Sequence, residues 1–259
     1  MFTRLVKYAG FLSVALLVGA VSVVASGITL KTGGSVVQKT GGSMTFVAPG
    51  SRIGYNEQIF LASYLTSYSQ MQRTGSSWLR WEDDWASVQA TSSASFVWGP
   101  MDTKINAAIA DGINSLLIIH YAPTWESSRN CGVNGCVPAS TSDFATFCGA
   151  SATHFLGRVH AYEVWNEENI GQWGLYGIVD YVSYLNACHD AIKLVDPTAV
   201  VMNGGLAPAA TSAGVSESPM AAIADFYTGG AEYDDLAFHP YSYPASLSIG
   251  DSSNNGGLM

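Results

Sequence analysis

Strands and helices alternate along the chain from Arg52 to His239, and this alternation is the feature that most restricts the fold. From the second strand onward, short apolar runs typical of buried strands begin roughly 40 residues apart, with amphipathic helical patterns between them. The predicted strands are Ile53–Asn56, Trp78–Trp81, Ser115–His120, Val159–Trp165, Ala199–Met202 and Asp235–His239. Alternation at this interval indicates βαβ units and a parallel sheet.

The positions of polar residues distinguish between two architectures of parallel sheets. A doubly wound sheet would favour a glycine-rich phosphate turn after its first strand, and residues 54–57 do not form one. Several strands end instead in polar side chains, namely Arg80, His120, Asn166 with Glu167, and His239 with Tyr241. Because catalytic residues at many strand ends are typical of the (β/α)8 barrel, we predict an α/β fold. It is an incomplete (β/α)8 TIM barrel over 52–259, with about six βα units.

The N-terminal region has the pattern of a targeting segment. Arg4 and Lys7 precede an apolar stretch over 11–24, which predicts a secretory signal peptide at residues 1–26. An uncleaved membrane anchor is the alternative, because about 20 apolar residues can span a bilayer. Residues 27–51 are rich in Gly, Ser and Thr and predict a linker or a short hairpin.

Export makes disulfides plausible for the four cysteines. Cys131 and Cys136 bracket a Gly-Val-Asn-Gly loop, which favours a local bridge between them. Cys148 and Cys188 would then join two helices. Zinc binding is the weaker alternative, since there is no second close cysteine pair and no nearby histidine. We therefore predict no metal and no cofactor.

Composition excludes some classes of partner. Apolar residues make up 48% of the chain, enough for a sizeable core. The net charge of −9 argues against nucleic acid or anionic membranes as partners. Aromatic residues make up 12% of the chain, which is as much as all charged residues together. Aromatic rings often line sites for partly apolar ligands.

The most informative segment joins a buried strand to a polar sequence, Asn166-Glu167-Glu168. Burial raises the pKa of a carboxyl group, and a general acid near neutral pH needs a raised pKa. The alternative is that Glu167 and Glu168 are solvated loop carboxylates. The position of the pair at the end of an apolar strand, directly after Trp165, favours the first interpretation.

Trp165-Asn166-Glu167 followed by Asn169 resembles the Trp-Asn-Glu-Pro-Asn motif of clan A glycoside hydrolases, which closes the fourth barrel strand. Other segments resemble glycoside hydrolase family 39 and its cellulase-like, family 5-like relatives. They are Trp78–Trp81 with Asp84 and Trp85, Ile118–Trp125, and Phe238–Tyr241. The resemblance covers Ile53 to Pro244, and it departs from the motif at Glu168, where proline is usual.

The resemblance implies a retaining mechanism in which Glu167 is the acid/base. Asn166 would hold the 2-hydroxyl of the sugar, and Arg80 would keep the nucleophilic carboxylate ionised. The full set of implied substrate-binding residues is Asn166, Arg80, His120, His239, Tyr241, Trp125 and Trp81, the two tryptophans as stacking surfaces. Without the resemblance, the histidines would more often be core or loop residues and Trp125 ordinary packing.

The second carboxylate of this mechanism has no candidate. In clan A the nucleophile is a glutamate at the end of the seventh strand, but the last glutamate here is Glu232, before the sixth. Residues 249–259 show no strand pattern. We therefore expect strands seven and eight and the nucleophile to be missing. The expected function is hydrolysis of β-linked polysaccharide or oligosaccharide, and the alternative is an inactive carbohydrate-binding remnant.

Overall fold

The computed structural model describes residues 36–37, 45–46, 54–56, 68, 71, 75–92, 95–129, 131–132, 135–171 and 178–240. The predicted signal peptide lies outside these residues. Within the predicted linker, β1 (Val36–Val37) and β2 (Thr45–Phe46) pair antiparallel. The predicted domain boundaries stay predictions. None of the described helices is long and apolar enough to cross a bilayer.

A five-stranded parallel sheet forms the centre of the fold and confirms the predicted α/β class. Its strands, adjacent in chain order, are β3 (Gly54–Asn56), β4 (Trp78–Asp84), β5 (Asn114–His120), β6 (Ala161–Val164) and β7 (Val200–Asn203). The described helices are α1 (Trp85–Val88), α2 (Gly99–Ala110), α3 (Thr141–Phe155), α4 (Ile178–Val195) and α5 (Pro219–Gly229). Neighbouring strands that follow one another in sequence are the arrangement of a barrel wall.

The predicted sixth strand, Asp235–His239, is wrong as a continuous strand. Only isolated parallel bridges join this segment to β7 and the residues after it. The reason is the Asn203 side chain, whose Oδ1 accepts from the Ala237 N–H at 2.6 Å and whose Nδ2 donates to the Ala237 carbonyl at 3.1 Å. Because this side chain takes hydrogen bonds that a backbone ladder would use, the segment runs beside β7 without forming a regular strand.

The two faces of β4 have different environments. Leu79, Trp81 and Asp83 are buried, and the Asp83 carboxylate accepts from Ser151 of α3 at 2.7 Å, so this face meets the helices. Alternate residues of a strand point to opposite faces. Arg80, and with it Glu82 and Asp84, therefore lie on the face turned away from the helices, which we call the inner face.

Serine side chains cap two of the described helices. The Ser140 Oγ accepts from the Asp143 N–H at 3.1 Å, and α3 begins at the next residue, Thr141. At α5 the Ser218 side chain accepts from the Ala221 N–H, and proline follows at the first helical position.

Both predicted disulfides are confirmed. Cys131 bonds to Cys136, five residues away, and Cys148 bonds to Cys188 across 40 residues. The second bridge joins α3 to α4, the helices that flank β6 in sequence. It therefore secures the helices whose loops hold the candidate site.

Candidate active site

Charged residues gather on the inner face near the carboxyl ends of β4, β5 and β6. In register, Glu82 pairs with Ile118, and Ile118 pairs with Glu163. Residues directly opposite each other on neighbouring strands share a face. Arg80 and Glu163 consequently point to the same side of the sheet, two strands apart.

Arg80 and Glu163 form a two-pronged ion pair. The Nε and Nη2 atoms of Arg80 donate to the two Glu163 oxygens at 2.6 and 2.7 Å, and Nη2 also donates to Asn166 Oδ1 at 2.9 Å. Burial alone would raise the pKa of Glu163, but the hydrogen bonds from Arg80 and the nearby His239 ring outweigh it and hold that pKa below its ordinary value. Glu163 is thus a buried, ionised carboxylate that orients Arg80, and through it Asn166.

Glu163 lies inside the predicted strand Val159–Trp165, and the strand pattern did not single it out as a site residue. One signal could have revealed it. A carboxylate in a fully buried strand needs a cationic partner, and Arg80 belongs to a predicted strand that lies two strands away on the same side of the sheet.

Glu167 is held by His239. The His239 Nδ1 lies 2.9 Å from Glu167 Oε1, and its Nε2 lies 3.6 Å from Glu163 Oε1. Burial disfavours the charged imidazole, but the two carboxylates outweigh that effect and raise the pKa of His239 to about 9. At neutral pH the ring is therefore an imidazolium that donates to Glu167. Gly205 lets the ring approach, since a Cβ there would overlap it.

The backbone around Glu167 adopts a rare conformation. Trp165 and Glu167 have φ values of 76° and 49°, and Tyr121 at the end of β5 has 45°. Such conformations cost about 1–3 kcal/mol each and concentrate at functional sites. The Glu167 N–H donates to the Gly204 carbonyl at 2.6 Å, which fixes this turn against the end of β7.

Glu168, the residue that departs from the motif, points away from solvent. It is 1% exposed, and its Oε1 accepts from Asn203 at 3.0 Å. Desolvation raises its pKa to about 7 despite that hydrogen bond. Asn169 is buried as well and bonds the backbone of Ala207 in both directions. These two residues support the loop rather than face a ligand.

His120 is almost fully buried at the end of β5. Its Nε2 lies 2.6 Å from Asp84 Oδ1, and its ring packs against Tyr121 at 4.0 Å between centroids. Trp165 meets the same ring edge-on at 6.3 Å. The imidazole is therefore fixed by aromatic packing near the site.

The two tryptophans expected to stack on sugar rings lie in different environments. Trp125 is 38% exposed, and its indole N–H donates to the Gln89 carbonyl at 2.8 Å, so one ring face can meet a ligand. Trp81 was assigned wrongly. It is fully buried on the helix-facing side of β4 and donates to Ser115 Oγ at 3.1 Å, so no sugar can reach it.

The structure thus brings together Arg80, Asn166, Glu167 and His239, with His120 nearby. Tyr241 lies outside the described residues. The arrangement presents one carboxylate aligned by an imidazolium, next to an amide aligned by a guanidinium. Chemically, this can exchange a proton with a bound oxygen and hold a neighbouring hydroxyl.

Comparison with known proteins supports the fold. No family model and no curated protein matches the sequence. A family 39 glycoside hydrolase from Bacteroides cellulosilyticus WH2 is similar in structure, with a TM-score of 0.61, 20% identity, and coverage of 76% of this chain and 39% of that one. A family 39 enzyme from Xanthomonas axonopodis pv. citri is also similar, with a TM-score of 0.55, 16% identity, and coverage of 72% of this chain and 40% of that one. The chain therefore has the fold of family 39 glycoside hydrolases and spans about two fifths of their length.

Proposed function

We propose that the chain carries the acid/base half of a retaining glycosidase that acts on β-linked polysaccharide or oligosaccharide. The observation that carries the proposal is the Glu167 carboxylate, only 12% exposed and bonded to His239, beside Asn166 at the carboxyl edge of a parallel sheet. Acid/base glutamates of this fold class work at that edge.

In the proposed first step, Glu167 in its protonated form gives its proton to the glycosidic oxygen as the bond between that oxygen and the anomeric carbon breaks. The His239 imidazolium stabilises the Glu167 carboxylate that remains. The sugar passes to a carboxylate nucleophile and forms a glycosyl ester. In the second step Glu167 takes a proton from water, which attacks the anomeric carbon and releases the nucleophile. His239 positions the Glu167 carboxylate through both steps.

Asn166 and Trp125 complete the proposed subsite. Arg80 holds the Asn166 carbonyl oxygen, so the amide is oriented before a sugar arrives. Trp125 offers an exposed ring for the apolar face of a pyranose. Tyr241 stays in the proposal as a further lining residue, whereas His120, 2% exposed, packs behind the site against Trp165.

The nucleophile in this proposal is a glutamate that the 259 residues do not supply. The match to about two fifths of the family 39 structures is consistent with that division. The two disulfides further support a role outside the reducing cytoplasm, with residues 1–26 as the export signal.

Azide rescue tests the proposal, because a small anion can replace an absent carboxylate. The chain is incubated with 2,4-dinitrophenyl β-glycosides of glucose, xylose and mannose, with and without azide. Azide should attack the anomeric carbon as dinitrophenolate leaves, giving an α-glycosyl azide. Release that requires azide supports the proposal.

The control variant is Glu217→Gln, which makes the same Glu-to-Gln change at a glutamate outside the site. It should leave the azide-dependent rate unchanged. Sugar binding without cleavage, measured by calorimetry, would instead favour the carbohydrate-binding remnant. The absence of both binding and cleavage with all three sugars would refute the glycosidase and the carbohydrate-binding proposals alike.

A further inference from the structure

A second cluster of potential ligands lies on the inner face at the ends of β4 and β5. The cluster consists of Glu82, Asp84 and His120, and each residue offers one ligand atom that lies within 4.8 Å of the other two. Asp84 and His120 are direct cross-strand partners, and Glu82 is two residues before Asp84 on the same face. Sequence spacing could not show this, because His120 lies 36 residues from Asp84 and only the strand register joins them.

The His120 imidazole points to a missing ligand. It is 2% exposed, and its Nε2 forms an ion pair with Asp84 Oδ1 at 2.6 Å. Its Nδ1 has no hydrogen-bond partner among the described residues. Buried polar atoms without partners are costly and rare. An unrecorded ion is one recognised explanation.

The donor set narrows the chemical class of that ion. Two carboxylates and one imidazole offer oxygen and nitrogen ligands together, and imidazole favours first-row transition metals over Ca²⁺ or Mg²⁺. Two negative charges balance a divalent cation. The Asp84 side chain is 22% exposed, which provides an entry path and room for water to complete the coordination.

We propose that Glu82, Asp84 and His120 bind one first-row divalent transition-metal ion. The aromatic rings around His120 hold its imidazole in place before the metal arrives. This inference goes beyond the proposed glycosidase function, and metal binding can be measured without any glycoside.

Isothermal titration of the full chain with Zn²⁺, Mn²⁺ and Ca²⁺ tests the site. We expect one Zn²⁺ or Mn²⁺ per chain and at least about tenfold weaker binding of Ca²⁺. Asp84→Asn and Glu82→Gln should each weaken Zn²⁺ binding by about tenfold or more. Circular dichroism checks that each variant is folded.

The matched control is the surface trio of His189, Asp190 and Glu232, whose carboxylates are 74% and 55% exposed. Asp190→Asn with Glu232→Gln should leave the tight site unchanged. If the control variant lost the binding of one Zn²⁺ per chain while Asp84→Asn kept it, the proposal would be overturned.

A measurement on the unmodified chain covers the case in which variants fail to fold. Substoichiometric Mn²⁺ should broaden the His120 imidazole resonances before those of His189. Broadening of His189 first, or no binding of Zn²⁺ and Mn²⁺ at all, would also overturn it.

Discussion

Glu168→Gln should make stability less dependent on pH. Glu168 is 1% exposed beside the acid/base candidate, and its pKa is raised from 4.5 to about 7, chiefly by desolvation. Glutamine keeps the shape of the side chain and an oxygen that can accept from Asn203, but it cannot ionise. The substitution therefore removes one buried titration and little else.

The sign follows from proton binding. In the unfolded chain Glu168 loses its proton near pH 4.5, whereas the folded chain keeps it until about pH 7. Between these pH values the folded state binds more protons, so stability falls as pH rises and the loss is complete above about pH 7. At about 1.4 kcal/mol per pH unit, the full penalty is on the order of 3 kcal/mol. Asp83 has a pKa of about 7 for the same reason and acts in the same direction.

Urea unfolding at pH 5 and pH 8 measures the effect for both proteins. Since Asp83 titrates in both, it cancels in the comparison. The gain in unfolding free energy from Glu168→Gln should be about 2–3 kcal/mol larger at pH 8 than at pH 5. Asp180→Asn, which changes a 68% exposed carboxylate whose ion-pair partner is an arginine, should give the same small change at both pH values. A gain from Glu168→Gln that is equal at both would refute the reasoning.

Other substitutions test the packing and the site. Cys148→Ser with Cys188→Ser should lower the unfolding free energy by about 4 kcal/mol, against about 2 kcal/mol for the shorter disulfide, because the closed loop is longer. Trp81→Ala should cost about 3–5 kcal/mol of stability in urea unfolding. Trp125→Ala should leave stability within about 1 kcal/mol while weakening sugar binding roughly tenfold in calorimetry. Arg80→Met should cost about 3–5 kcal/mol in urea unfolding, because it leaves its buried carboxylate partner unpaired.

The predictions for the disulfides, Trp81 and Arg80 each have a contradicting outcome. Equal losses from the two disulfides would contradict the loop-length argument. Weaker sugar binding by a stable Trp81→Phe variant would restore that residue to the site. Adding Glu163→Gln to Arg80→Met should recover part of the lost stability, and no recovery would show that the unpaired charge is not the cause.

The fold and half of the site could be predicted from the sequence. Carboxyl ends of parallel strands meet at one edge, so polar residues that end separate predicted strands had to come together, as Arg80, Glu167 and His239 do. The error at Trp81 came from neglecting strand parity. If Arg80 faces the inner side, the next residue must face the helices.

Other features depend on three-dimensional contacts that no local pattern contains. The Asn203 side chain replaces a backbone ladder and so prevents a regular sixth strand. The pairing of Asp84 with His120 depends on strand register. The burial of Glu168 depends on the end of β7, where Asn203 donates to it, and a sequence motif does not specify this contact.

The central claim is that Glu167 transfers the proton to the departing oxygen, and leaving-group dependence tests it most directly. Rates with azide are compared for Glu167→Gln and the unmodified chain on phenyl and 2,4-dinitrophenyl β-glycosides. Phenolate needs protonation, so the phenyl rate should fall by about 10²- to 10⁴-fold, whereas the dinitrophenyl rate should fall far less. Equal rate losses on both substrates, or none, would contradict the assignment of Glu167 as the acid/base.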